Sequence, residues 1–226
     1  MTINGFETYT YPEDQRITWL RQNGNFRVAG FYLAHKPGQY DQGWLAKRQY
    51  LATNGWGFLP TYVGLQKGNP GLSAPAGKNH AIEAVGLMGQ AGFAAPSVVY
   101  LDLEEGDTPT GAYASYISAW VAEVSNNNYV PAIYCSHVFI GWARQQTPII
   151  WSFHIPSNTF GDTYDPNNLP VATIDAQCIA TQYRQKVNLI GLTIPAAIDS
   201  EGLDLDLCAV ADPSNVAIVH HALGIN

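Results

Sequence analysis

Short, near-continuous apolar runs recur along almost the whole chain, separated by stretches whose apolar residues return every three or four positions. Strands are expected at residues 3–9, 28–34, 56–63, 97–104, 129–136, 148–155 and 178–183, with an eighth inside 196–207. A strand that is apolar throughout, rather than at alternate positions, is one buried on both faces, as in a parallel sheet covered by helices. The clearest helix lies at 110–126, where Tyr113, Tyr116, Ile117, Trp120, Val121 and Val124 share one face. Ala81, Val85 and Met88 repeat the pattern before the fourth strand, and Ile17 with Leu20, then Trp44, Arg48 and Leu51, mark two earlier helices. Gly24, Gly55 and Gly92 stand where helix C-caps belong.

Eight such units in 226 residues give roughly 28 residues each, near the (β/α)8 barrel of roughly 250 residues. The expectation is therefore an α/β protein, a single-domain TIM-type barrel over residues 1–226, with its strands parallel. An open doubly wound sheet would carry a glycine fingerprint after the first strand, and residues 9–13 contain none. The nearest approach to a phosphate loop, 71–79, has one residue too many between its glycines and Asn79 in place of Ser or Thr. It reads as a surface loop. Residues 161–170 read as a long βα loop inside the domain.

Composition narrows the class. Hydrophobic residues make up 46% and charged residues 13%, half the roughly 25% usual, whereas disorder needs the reverse balance. A net charge of −7 argues against a nucleic-acid partner. No 18-residue apolar run suggests a membrane span. The first ten residues have neither a basic region nor an apolar one, so no secretory signal is read there. Cytoplasmic residence, export by a route outside the chain, or a mature domain would each fit that start. Cys135, Cys178 and Cys208 are widely spaced and read as buried thiols, with one disulfide as the alternative. No metal-ligand spacing and no cofactor motif are present, and a monomer is expected.

In a barrel, the residues that follow each strand build the site. Here those positions hold Glu7, Tyr62, Gln66, Asp102, Glu104, Tyr134, Trp151, Gln182, Tyr183 and Asp204. Asp102 and Glu104 carry the strongest signal. Two strand positions apart, they share a face with Cα atoms roughly 6.6 Å from each other. Neighbouring carboxylates repel, so one takes a raised pKa; the expectation is that an ionised Asp102 keeps Glu104 protonated, as a general acid at a glycosidic oxygen requires. A solvated acidic loop is the plainer alternative, because Glu105 and Asp107 follow. Tyr62, Tyr134, Trp151 and Tyr183 suit stacking walls for sugar rings, or barrel core. Gln66 and Gln182 suit hydrogen bonds to hydroxyl or acetamido groups, or to loop backbone.

Several segments resemble a known family. They are Gly5-Phe6-Glu7-Thr8, Gly30-Phe31-Tyr32-Leu33, Gly55-Trp56-Gly57-Phe58-Leu59-Pro60-Thr61-Tyr62-Val63-Gly64 with Gln66, and Tyr100-Leu101-Asp102-Leu103-Glu104. Pro131-Ala132-Ile133-Tyr134-Cys135-Ser136, Trp151, Gln182-Tyr183 and Leu203-Asp204 continue the match in order. Together they resemble the glycoside-hydrolase-like domain of bacterial proteins that is related to the family 25 glycoside hydrolases, the lysozyme-type muramidases. The Gly-Trp-Gly and Asp-x-Glu blocks are the specific ones. The resemblance implies a cofactor-free (β/α)8 barrel acting on the β-1,4 muramyl linkage of cell-wall peptidoglycan, and hence a secreted or wall-directed protein. It implies Glu104 as general acid, Asp102 beside it positioning the N-acetyl group of the substrate, and Asp204 as the acid of the last strand. One departure stands out: Glu7 replaces the Asp usual in the first strand, moving a carboxylate by about a bond length where ~1 Å matters. A non-catalytic glycan-binding module, or an effector-associated domain, on the same scaffold is the alternative.

Overall fold

The computed structural model describes residues 2–194 and 202–225. Its strands are β1 (Ile3–Glu7), β2 (Val28–Lys36), β3 (Gln39–Tyr40), β4 (Gly57–Val63), β5 (Val98–Asp102), β6 (Val130–Ser136), β7 (Ile150–Phe153), β8 (Thr163–Tyr164), β9 (Ala180–Leu189) and β10 (Leu203–Cys208). Eight of them close a barrel in the order β1, β2, β4, β5, β6, β7, β9, β10 and back to β1. The two-residue β3 folds back on β2 and β8 pairs with β9, outside the ring. The helices are α1 (Asp14–Asn23), α2 (Gln42–Leu45), α3 (Arg48–Thr53), α4 (Ala74–Ala91), α5 (Gly111–Asn126), α6 (Ile140–Gln146) and α7 (Val216–Leu223).

The closed α/β barrel is the fold expected from the sequence, with three differences. First, β10 is antiparallel to both β1 and β9; the other seven barrel strands are mutually parallel. The alternation of Leu203, Leu205 and Leu207 with Asp204, Asp206 and Cys208 defines two faces but not a direction, because a period of two looks the same read either way. The part of the expected strand at 196–201 lies outside the described residues.

Second, the regular βα alternation stops after β7: residues 154–179 contain no helix, only β8. Third, the segment 71–79 is mostly helical. Ser73 caps α4 by accepting the Ala76 N–H, and Pro75 occupies the first turn, a position where its missing N–H costs nothing. α5 falls where the apolar spacing places it, with all six of its periodic residues buried.

Two apolar layers result. Phe6, Phe31, Phe58, Tyr62, Trp120 and others fill the space between barrel wall and helices. A second cluster fills the barrel's lower interior: Val28, Leu59, Val98, Tyr100, Ala132, Trp151, Ala180 and Cys208, with Val219 of α7 packed into it. The three cysteines are buried and unbridged. No helix among the described residues is long and apolar enough to cross a membrane.

Candidate active site

Above that lower layer, the inward positions change to polar and acidic side chains. A cavity of about 450 Å³ opens at the end where the parallel strands finish, and Glu7, Asp102, Glu104 and Asp204 all line it. Asp204 reaches this rim because β10 runs backwards. Its first residues are at the mouth, and Asp204 sits directly across from Glu7 in the β1–β10 register.

Glu7 is buried, and the Tyr32 hydroxyl donates to its Oε2 at 2.9 Å. Gly30 on the neighbouring strand leaves room for its side chain to leave the backbone, since a Cβ there would lie 2.5 Å from the Glu7 Cβ. Burial raises its pKa well above the carboxylate range, and Asp206, Asp204 and Asp102 add to this, while the Tyr32 bond opposes them. Asp102 ends β5 and is also buried, with its Oδ1 lacking a hydrogen-bond partner among the described residues. Burial raises its pKa well above normal, and Glu104 raises it further.

Glu104 is two residues further on, in the loop beyond β5 rather than on the strand, and is exposed at the mouth. Its pKa is raised by partial burial and then by Glu105. The expected direction of influence is therefore corrected. Asp102 is the deeper acid, and it is the group whose proton is held by burial and by its neighbour.

Gln66 acts on protein backbone. Its Nε2 donates to the Asp102 carbonyl at 3.0 Å, and its Oε1 accepts the Glu104 N–H at 3.1 Å and the Tyr113 hydroxyl at 3.3 Å. It thus clamps the chain on both sides of Leu103. Gln182 is fully buried; it accepts from the Tyr134 hydroxyl and donates to Asp204 Oδ2 at 2.6 Å. The Lys186 N–H donates to Asp204 Oδ1 at 2.7 Å. Lys186 takes φ +57° at an irregularity in the β9–β10 register, a bulge that turns this N–H toward the site.

Of the four aromatic candidates, Tyr134 lines the cavity, with Phe153 beside it at 5.3 Å between ring centroids. The other three are corrections. Tyr62 and Tyr183 are buried in the layer between barrel and helices, because each follows an inward residue, Thr61 and Gln182, and successive strand residues face opposite ways. Trp151 does point inward but lies too deep, buried in the lower core with its indole N–H on Asp206 Oδ1 at 2.9 Å.

Asp206, Tyr32, Tyr9, Phe153 and Lys186 join the site without standing among the candidates named from sequence. Asp206 was the readable one, since it alternates with Asp204 on one strand face. It is fully buried beneath the rim, and a Cβ on Gly5 opposite would come within 3.0 Å of its Cβ. Burial, with Asp204 adding, pushes its pKa up to about 8 against the opposing pull of the Trp151 bond. Among the described residues, no group of three or more His, Cys, Asp or Glu is placed to hold a metal ion.

A closed barrel with a ring of carboxyl groups at one mouth defines a glycoside-hydrolase-like protein. Over residues 18–199 the chain matches the family described as "Rv2525c-like, glycoside hydrolase-like domain", and it belongs to that family. Its fold is similar to that of the Tat-secreted protein Rv2525c of Mycobacterium tuberculosis, solved with L-tartrate: TM-score 0.61 and 16% identity, over 92% of this chain and 95% of that one. It is also similar to the catalytic domain of the endolysin ply40 from a bacteriophage of Listeria monocytogenes, with TM-score 0.58, 14% identity, and coverage of 99% and 98%. A family 25 lysozyme from Aspergillus fumigatus gives TM-score 0.57 and 12% identity, over 99% of each chain. No curated protein sequence matches the chain. The fold is thus a glycoside-hydrolase-like barrel related to those of cell-wall lytic enzymes.

Proposed function

We propose that the protein is a glycoside hydrolase that cuts cell-wall peptidoglycan at its β-1,4 muramyl linkage, working outside the cytoplasm or at the wall. The observation that carries this reading is the convergence of Glu7, Asp102, Glu104 and Asp204 on one open cavity, with Glu104 the exposed member. Its likeness in fold to a phage endolysin domain and a lysozyme supports the choice of substrate.

Glu104 delivers a proton to the glycosidic oxygen as its bond to the anomeric carbon breaks; the resulting carboxylate then takes a proton from the water whose oxygen bonds to that carbon, which restores the acid. Its raised pKa keeps part of the population protonated above the usual carboxylate range, which is what a general acid needs. Asp102 on β5 and Asp204 on β10, on opposite sides of the barrel mouth, supply the polar surface that orients the N-acetylated ring and faces the positive charge developing at its anomeric carbon. Glu7, across from Asp204 in the β1–β10 register and tied to Tyr32, keeps its proton by burial. Tyr134 forms part of the wall against which the sugar packs.

Incubation of the protein with purified peptidoglycan should release muropeptides with muramic-acid reducing ends, identified by mass spectrometry. Binding to peptidoglycan without release across pH 4–8 would replace the enzyme with a glycan-binding module.

The clamp made by Gln66 has its own consequence. Gln66→Ala should lower the melting temperature by a few degrees at most, since it deletes the clamp's three hydrogen bonds, made by a half-buried side chain. It should lower kcat by about 10- to 100-fold with KM little altered, because the Glu104 backbone loses its anchor and ~1 Å of misplacement is costly. An unchanged kcat would mean that the loop holds its shape without Gln66.

A further inference from the structure

A second cavity of about 600 Å³ adjoins the first, and Tyr9, Tyr32, Asp102 and Glu104 line both. Tyr9 lies just beyond the end of β1 and is 46% exposed. Its ring lies flat on the His35 imidazole, with centroids 3.7 Å apart and planes at 24°. His35 is itself pinned: its Nε2 lies 2.7 Å from the Tyr9 carbonyl and 2.8 Å from Asp41 Oδ2. Both partners accept, so Nε2 carries the hydrogen. Asp41 is buried and caps α2, with its Oδ1 accepting the N–H of the core residue Trp44 at 3.0 Å. The exposed ring is therefore tied through His35 and Asp41 to the hydrophobic core. On its other flank, Tyr32, the partner of Glu7, sits at 5.9 Å between centroids.

An exposed aromatic held this firmly at the junction of two cavities is suited to binding a flat apolar face. Little side-chain freedom remains to be lost when a ligand arrives. A pyranose ring offers such a face, edged with C–H groups that suit the electron-rich side of a phenol ring. We infer that Tyr9 is a stacking platform for a pyranose ring of an N-acetylated glycan strand, which runs through both cavities and passes Glu104 between them. His35 and Asp41 are positioning residues for that platform. This inference rests on the glycosidase reading of the site.

The test is a titration of the Glu104→Gln protein with an uncrosslinked N-acetylglucosamine–N-acetylmuramic acid tetrasaccharide, followed calorimetrically. Adding Tyr9→Ala should weaken binding about tenfold, whereas Tyr9→Phe, which keeps the ring, should stay within about threefold. His35→Ala should weaken binding in the same direction. The pair Tyr9→Ala and His35→Ala should be less than additive, because the imidazole acts through the ring. Unchanged melting temperatures establish that the variants are folded. Equal behaviour of the Glu104→Gln parent and its Tyr9→Ala derivative, including binding by neither, overturns the platform. Muropeptide release by the wild-type protein then decides separately whether the glycosidase reading stands.

Discussion

Glu104→Gln is expected to reduce muropeptide release by about 10²–10⁴-fold, the usual loss when a general acid is removed. The substitution keeps size and hydrogen-bonding capacity but leaves no proton to deliver. Because Glu104 is exposed in the loop beyond β5, the change should not disturb packing. Glu104 raises the Asp102 pKa and Glu105 raises that of Glu104, so removing the Glu104 charge should hold the melting temperature steady or lift it slightly. Asp102→Asn should also lower turnover, and the double variant should be no worse than about the more damaging single one, since residues acting as a unit are not additive. Burial and Glu105 raise the Glu104 pKa, so Asp102→Asn should leave the basic limb of the pH–rate profile near its wild-type position. A Glu104→Gln protein that turns over at the wild-type rate would remove Glu104 from the acid role.

The second large effect is on stability against pH. Glu7, Asp102 and Asp206 are buried acids whose folded-state pKa values are raised. Between the unfolded value near 4 and the folded value, the native state binds more protons than the unfolded chain. Stability therefore falls as pH rises through that window. For Asp206 the window runs from its ordinary 3.8 up to about 8. Its contribution is complete below the lower figure and is lost as pH climbs through the upper one. The slope approaches about 1.4 kcal/mol per pH unit for each proton held only by the native state.

The melting temperature should accordingly decline from pH 5 to pH 8. His80 acts in the opposite sense, because burial lowers its pKa and the native state then binds fewer protons. The informative comparison is therefore with Asp206→Asn. Asparagine can still accept the Trp151 N–H, and its amide replaces an oxygen that has no hydrogen-bond partner among the described residues. The variant should match the wild type near pH 4, exceed it at pH 8 and show a shallower decline. Parallel curves for the two proteins would mean that Asp206 is ionised at little cost.

Much of the fold was legible because burial on both faces leaves a direct mark on sequence. The apolar runs of β2, β4, β5 and β6 and the one-sided pattern of α5 could be read without any tertiary information, and so could the Asp102 and Glu104 pair. What periodicity cannot carry is direction and depth. The reversal of β10 is invisible in Leu203-Asp204-Leu205-Asp206, yet it decides that Asp204 stands at the mouth beside Glu7 and that Asp206 lies beneath it. Depth likewise separates Tyr134, at the cavity, from Trp151, one strand over and sealed in the core.

Residue type and order along the chain determined the barrel class, the acidic character of its rim and the identity of the central carboxyl pair, since these follow from local hydrophobic patterning and from side chains adjacent in sequence. Tertiary structure alone decided which aromatic ring faces the groove, which glutamine clamps backbone and which carboxyls keep their protons. Those properties depend on strand direction, on distance from solvent and on partners far away in the chain: Tyr9 on His35, Gln66 across to Glu104, and Trp151 on Asp206.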